Sequence, residues 1–291
     1  MTGERRFVFL LHRTLENRAG RRLRAALRQA PSMAGRSRTV TVADLGQAAD
    51  LIGNLDRDSV PVAAGGDGTV NLLVRALRMA ETGDRPIGVL PLGTGNAFAH
   101  EVGAGTLERG LQLLLTGRPV ARDIMLTTNP AVPLALLSLS TGIEDRAIRV
   151  LERRRRWVRP MRLLAGGIAG LTAPRTRAKL VVDGRVLTEG DPVVNAGLYN
   201  TRRYGFGRVV FPGADPADGM AEAVVCNRLT DYCRALVGGV RQEREDPGIR
   251  MARWRAATLV AARAIQVDGE PGPGGTFEVR IAHRELLVLA G

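Results

Sequence analysis

Aromatic residues are scarce in this chain, at 4% of 291 positions, so its core has to be built from leucine, valine, isoleucine and alanine. The same scarcity argues against a single-strand nucleic-acid platform, which stacks bases on aromatic rings. Only two cysteines occur, Cys226 and Cys233, and their spacing fits neither a zinc site nor a disulfide framework. They read as reduced cysteines of a cytosolic protein. No run approaches the roughly 20 apolar residues that span a bilayer. The longest, Leu163 to Ala173, is short and interrupted by glycine, and Phe7 to Leu11 reads as a first strand rather than a targeting segment. Lysine is almost missing: Lys179 is the only one, so the net charge of +13 rests on arginine. Ten arginines fall in residues 1–38 and eight in residues 146–162. The second cluster, Arg153 to Leu164, sets Trp157 and leucines among cations, a composition suited to the headgroup layer of an anionic membrane or to a solvated helix face.

Glycine is abundant, and its placement is the strongest signal. Val60 to Ala64 is an apolar run that leads into Gly65-Gly66-Asp67-Gly68-Thr69 and then into a helical stretch, Val70 to Met79. A strand, glycine turn and helix bring bare backbone N–H groups to an anion, usually a phosphate. Asp67 sits where it would repel phosphate unless a metal or a transferable proton intervened, which favours phosphoryl transfer over phosphate storage. A second loop follows the next strand-like run, Ile87 to Leu90: Pro91-Leu92-Gly93-Thr94-Gly95-Asn96-Ala97-Phe98-Ala99. Gly93 and Gly95 permit close backbone approach. Asn96 is placed to cap the following helix and to offer an amide to a nucleotide.

These two loops together resemble the diacylglycerol kinase catalytic domain family, which includes bacterial soluble lipid kinases and the sphingosine and ceramide kinases. Weaker similarities follow in order: Ser140-Thr141-Gly142-Ile143-Glu144, the loop Pro212 to Gly219, and Val267-Asp268-Gly269-Glu270. There are departures. The first strand ends in Leu11-His12-Arg13-Thr14, where the family has an Asn-Pro loop, and only Asn17 to Gly20 echoes it. Ala97 stands where many bacterial lipid kinases have Asp, closer to the sphingosine and ceramide kinase form, and Glu144 stands where Asp is common.

The chain divides by texture. Phe7–Leu11, Thr39–Val42, Val60–Ala64 and Ile87–Leu90 alternate with helical stretches, which predicts an N-terminal parallel α/β nucleotide-binding domain over residues 1–125. From 126 to 276, the short strand-like runs Leu134–Leu139, Lys179–Val182, Val193–Tyr199, Ala221–Val225 and Thr258–Val267, separated by turns, predict an antiparallel domain, and Phe277–Ala282 and Leu286–Leu289 follow as two further runs. The resemblance implies a β-sandwich on the lipid side, with the last strand or two, about 277–291, returning to the first domain. Asp183-Gly184 reads as a tight hairpin turn. A helical insert at about 145–172 and a helix near 230–245 interrupt the strands.

Expected function follows from charge placement. The resemblance implies an ATP- and Mg²⁺-dependent lipid kinase that transfers the γ-phosphate to the hydroxyl of a diacylglycerol or sphingoid-like acceptor. The nucleotide phosphates are assigned to Gly65, Gly66, Gly68 and Thr69, with Gly93, Thr94 and Asn96 nearby. Asp67 is expected to hold Mg²⁺ through water or to assist the acceptor. Asp123 matches an acidic position of the family. Glu270 is the favoured general base, with Asp268 as its partner. The resemblance implies a structural metal at Asp218, with Asp215 as a lesser ligand. A NAD kinase shares Gly-Gly-Asp-Gly-Thr, but lacks the Pro91 to Asn96 run and carries an Asn-Glu dipeptide absent here. A catalytically weak, membrane-surface nucleotide-binding protein is the other alternative. The expected partners are a lipid substrate, an anionic membrane surface and a homodimer mate, not nucleic acid. The expected location is the cytoplasm, peripheral to the inner face of the membrane.

Overall fold

The computed structural model describes residues 5–154, 157, 159–204, 208–240 and 248–291. The chain forms two compact units: residues 1–122 with 284–291, and residues 123–283.

In the first unit, strand β1 (Arg6–His12) is followed by a 3-10 turn and helices α1 (Glu16–Arg28) and α2 (Pro31–Ala34). Then come β2 (Ser37–Val42), α3 (Leu45–Gly53), β3 (Ser59–Gly65), α4 (Asp67–Met79), β4 (Gly88–Pro91), α5 (Ala97–Glu101) and α6 (Leu107–Thr116). The four strands pair in parallel in the order β2-β1-β3-β4. Strands covered on both faces read as continuous apolar runs, and β1 and β3 do. Phe7, Phe9, Leu11, Leu23, Met33, Val62, Leu90 and Leu289 form the core of this unit. Near the C-terminus, Val288 lies beside Ile87 in a parallel bridge closed by two backbone hydrogen bonds of 2.9 and 2.8 Å.

The second unit is built on antiparallel ladders. The elements are β5 (Arg118–Thr127, which begins before the unit boundary), β6 (Leu134–Ala135), β7 (Ser138–Gly142), α7 (Ile143–Arg153) and α8 (Arg159–Leu171). They continue with β8 (Thr176–Val182), β9 (Arg185–Val193), β10 (Asn195–Tyr199), the short pair β11 (Arg203–Tyr204) and β12 (Arg208–Val209), β13 (Ala221–Cys226) and α9 (Leu229–Gly238). Strands β14 (Ile249–Trp254), β15 (Ala256–Ala261), β16 (Ile265–Val267), β17 (Glu270–Gly272) and β18 (Gly275–Ala290) complete the chain. One six-stranded sheet has the order β14-β13-β10-β7-β16-β17, the other β6-β5-β18-β15-β8-β9. Leu139, Leu198 and Trp254 from the first meet Leu180, Leu259 and Phe277 from the second in one aliphatic-rich core. The architecture is a parallel α/β unit joined to antiparallel sheets.

The predicted run Leu134–Leu139 divides into β6 and β7 because the amides of residues 136–138 turn onto a carboxylate instead of a strand. Thr258–Val267 likewise divides into β15 and β16. Phe277–Ala282 and Leu286–Leu289 are one 16-residue strand, with Arg284 at φ +53° where the break was expected. The part of the expected 230–245 helix beyond residue 240 lies outside the described residues.

Candidate functional site

The first unit brings the two glycine loops together at the C-terminal ends of the neighbouring strands β3 and β4. In parallel sheets this is where ligands bind. Gly65 O accepts the amides of Leu92 and Gly93 at 3.0 and 3.1 Å, so the loops are joined backbone to backbone. A Cβ on Gly93 would lie 2.4 Å from Gly66 Cα, and one on Gly65 would collide with the Thr69 side chain. Only glycine fits at these crossings.

Helix α4 begins at Asp67, directly after Gly66, so Asp67, Gly68 and Thr69 are its first turn. The Thr69 and Val70 amides reach Gly66 O, while those of Asp67 and Gly68 precede any intrahelical acceptor. That leaves a helix N-terminus able to face an anion. The Asp67 carboxylate is turned toward the other loop: Oδ2 accepts from the Ala97 amide at 3.0 Å and Oδ1 from the Phe98 amide at 2.8 Å. Burial pushes the Asp67 carboxyl above its ordinary value, against the pull of those two amides.

Asn96 does not cap α5, contrary to expectation. It sits in the left-handed region at φ +54°, which folds its side chain back on its own loop. Its Oδ1 accepts from the Gly93 amide at 2.9 Å and its Nδ2 donates to Gly93 O at 3.1 Å. Asp67 takes the capping role. The Gly93 amide is therefore already engaged inside the loops, whereas Thr94 and Gly95 are exposed.

In the second unit, Asp123 is buried and organises the loop Pro212 to Gly219. Its Oδ2 accepts from the Gly219 amide at 2.7 Å, its Oδ1 lies 3.0 Å from His283 Nδ1, and its amide donates to Pro216 O. Asp268 is also buried. Its carboxylate accepts from the amides of Leu136, Leu137 and Ser138, the shortest at 2.8 Å. Asp268 at φ +51° and Gly269 at φ +84° form the two-residue turn between β16 and β17. The Asp268 carboxylate anchors the 136–138 backbone, while Glu270 opens β17 with its side chain exposed.

The expected metal ligands have other partners. Asp218 pairs with Arg253 and accepts from the Met220 amide at 3.0 Å. Asp215 accepts from the Ala217 amide at 3.1 Å, within its own turn. Among the described residues no cluster of three or more metal-ligating side chains forms, and the Arg253 guanidinium is the cation beside Asp218. Arg253 gave no sequence signal, because it lies 35 residues from Asp218.

Glu144 is buried, and it accepts from Ser140, Tyr199, Tyr204 and Tyr232 hydroxyls. Helix α8 packs small residues against α7: a Cβ on Gly166 would meet Leu151 at 2.7 Å, and one on Gly170 would meet Ile143 at 3.2 Å. Its other side leaves Met161, Leu164, Ile168 and Leu171 each more than half exposed. Arg154 stacks over the Trp157 ring at 4.1 Å. Arg155, Arg156 and Val158 of the arginine segment lie outside the described residues, as do the side chains of Arg159 and Arg162. No helix among the described residues is long and apolar enough to cross a membrane.

Residues 6–127 match the diacylglycerol kinase catalytic domain. The chain is 28% identical over 238 residues to the probable lipid kinase YegS-like of Enterobacter sp. (strain 638), covering 77% of this chain and 76% of that one. It is 26% identical over 231 residues to the probable lipid kinase YegS of Shigella flexneri, covering 76% and 74%. A crystal structure from Bacillus anthracis str. Sterne, named provisionally as a diacylglycerol kinase, shares the fold with a TM-score of 0.74 at 14% identity, covering 100% of this chain and 98% of that one. Loops, fold and relatives agree: over residues 6–127 this chain matches the diacylglycerol kinase catalytic domain, and over about three quarters of its length it is similar to bacterial proteins named as probable lipid kinases.

Proposed function

We propose that the protein transfers the γ-phosphate of ATP to the hydroxyl of a lipid. The observation that carries this reading is the pair of interlocked glycine loops at Gly66 and Gly93, beside the first amides of α4. A side chain would fill that crossing, and a bare backbone beside a helix N-terminus suits phosphate. The amides of Asp67 and Gly68, with the exposed Thr94 and Gly95, are the groups that would hold the nucleotide phosphates. Mg²⁺ would neutralise phosphate charge, with Asp67 as its contact on the protein side, directly or through water. Glu270 is the base for the acceptor hydroxyl: it is exposed at the start of β17. Asp123 and Asp268 are positioning residues, since their carboxylates hold backbone amides.

The acceptor class is supported by the relatives named as lipid kinases and by the exposed apolar face of α8 beside an arginine-rich segment, which suits an anionic lipid surface. The test is incubation with radiolabelled ATP, Mg²⁺ and total lipids in anionic vesicles. Label in the organic phase, lost in Asp67→Ala and in Glu270→Gln, is the expected result. No label in any lipid, with transfer to NAD instead, overturns the reading.

A further inference from the structure

Strand β17, which carries Glu270, has little of its own to hold it in place. It is three residues long and lies at the end of its sheet, beside β16. Glu270 and Pro271 are exposed and Gly272 is half-buried, so side-chain burial does not anchor the strand. Pro271 has no N–H to donate to a ladder. A short edge strand of this kind frays, because few buried contacts oppose its opening.

Attachments stand at both of its ends. At the start, the Asp268 carboxylate accepts from the amides of residues 136–138, the Asp268 amide donates to Ser138 O at 3.0 Å, and the Gly269 amide donates to Gln266 Oε1 at 2.8 Å. At the far end, Arg149 of α7 donates from Nη2 to Gly272 O at 2.7 Å. The same guanidinium donates from Nε to Asp145 Oδ1 at 2.7 Å, one helical turn earlier. The Asp145 side chain is only 14% exposed. A planar fork held at one nitrogen is aimed at the others. Asp145 therefore aims Arg149, and Arg149 pins the end of β17 to α7, which packs against that strand. Gly272 is two residues beyond Glu270, roughly 7 Å along a strand.

We propose that Arg149 is a positioning residue for phosphate transfer: by fixing Gly272 it holds Glu270 where the acceptor hydroxyl is deprotonated. The inference rests on the reading of Glu270 as the base, and adds to it a residue from another element. In that step the carboxylate takes the proton while the hydroxyl oxygen bonds to the γ-phosphorus and ADP leaves. The carboxylate has to stand within hydrogen-bond reach of the hydroxyl, and a misplacement of about 1 Å costs up to about 10²-fold in rate. Being exposed, Glu270 takes that precision from the backbone on either side of it. Arg149 acts through the Gly272 carbonyl, by geometry and not by its charge.

The test uses the full chain with radiolabelled ATP, Mg²⁺ and total lipids in anionic vesicles, together with backbone hydrogen exchange. Arg149→Gln should lower the rate at saturating ATP by about 10- to 10²-fold and leave the KM for ATP unchanged. Exchange at the Glu270 and Gly272 amides should become faster. The double variant Arg149→Gln/Glu270→Gln should be no slower than Glu270→Gln alone, because one residue acts through the other. Arg149→Lys keeps the charge but not the fork, so it should also be slowed about tenfold, and it serves if the glutamine variant fails to fold. A parent-like rate in either Arg149 variant beside a slow Glu270→Gln, unchanged exchange in β17, or losses that multiply in the double variant overturns the inference and leaves Glu270 as the base. No label from the parent, or Glu270→Gln as fast as the parent, overturns the reading of Glu270 itself and this inference with it.

Discussion

Replacing Glu222 by glutamine should make the protein more stable at alkaline pH while leaving it unchanged in acid. Glu222 lies in β13 and is 3% exposed, and its carboxyl is pushed up to about 7. Burial is the main cause and the nearby Asp218 adds to it, while Arg253, 3.8 Å away, opposes. The folded value thus exceeds the ordinary one of 4.5, so the folded protein holds this proton more tightly than the unfolded chain. Stability is then full below 4.5 and falls as pH rises through about 7. At about 1.4 kcal/mol per pH unit, a rise from 4.5 to about 7 corresponds to about 3 kcal/mol, an upper bound because the Arg253 pair is partly exposed. Glutamine mimics the protonated acid at all pH values. The assay is urea unfolding at pH 5 and pH 8 followed by Trp254 fluorescence, because Trp254 is fully buried opposite Ala221 in the adjoining strand. Glu222→Gln should match the parent at pH 5 and exceed it by about 2–3 kcal/mol at pH 8. Parallel pH profiles, or a variant less stable than the parent at pH 8, would refute the reasoning and make the Arg253 pair the dominant interaction.

The other predictions concern the loops and the hairpin. Gly93→Ala places a methyl 2.4 Å from Gly66 Cα, where only backbone can yield; it should cost about 1–3 kcal/mol in denaturant unfolding and abolish ATP binding in a nucleotide-displacement assay. Asp268→Ala strands three buried amides, at Leu136, Leu137 and Ser138, and should lower stability by at least about 3 kcal/mol. Glu270→Gln should leave the melting temperature unchanged while lowering the rate of phosphate transfer by about 10²–10⁴-fold.

The parallel half was legible because buried strands carry continuous apolar runs and glycine marks the turns between strands and helices. Strands β1 to β4 fall within about two residues of the predicted runs. The Asp183-Gly184 hairpin was equally readable, since both positions need positive φ, found at +44° and +80°. Strand β9, Arg185–Val193, was missed: it carries Glu189, Asp191 and Pro192, which obscure any alternation. The glycine loops were visible as a motif, but the direction of the Asp67 carboxylate was not. That depends on Asn96 turning left-handed, which no spacing encodes. The Glu144 cluster joins residues from six separate elements, so its members have no common local pattern.

The bond from Asp67 to the start of α5 also makes the two loops report on each other. They are about thirty residues apart in sequence, yet one carboxylate fixes both. A cation that draws Asp67 toward the first loop strips the Ala97 and Phe98 amides of their acceptor, so filling one loop changes the free energy of the other. By reciprocity, anything that recaps α5 lowers the affinity for that cation.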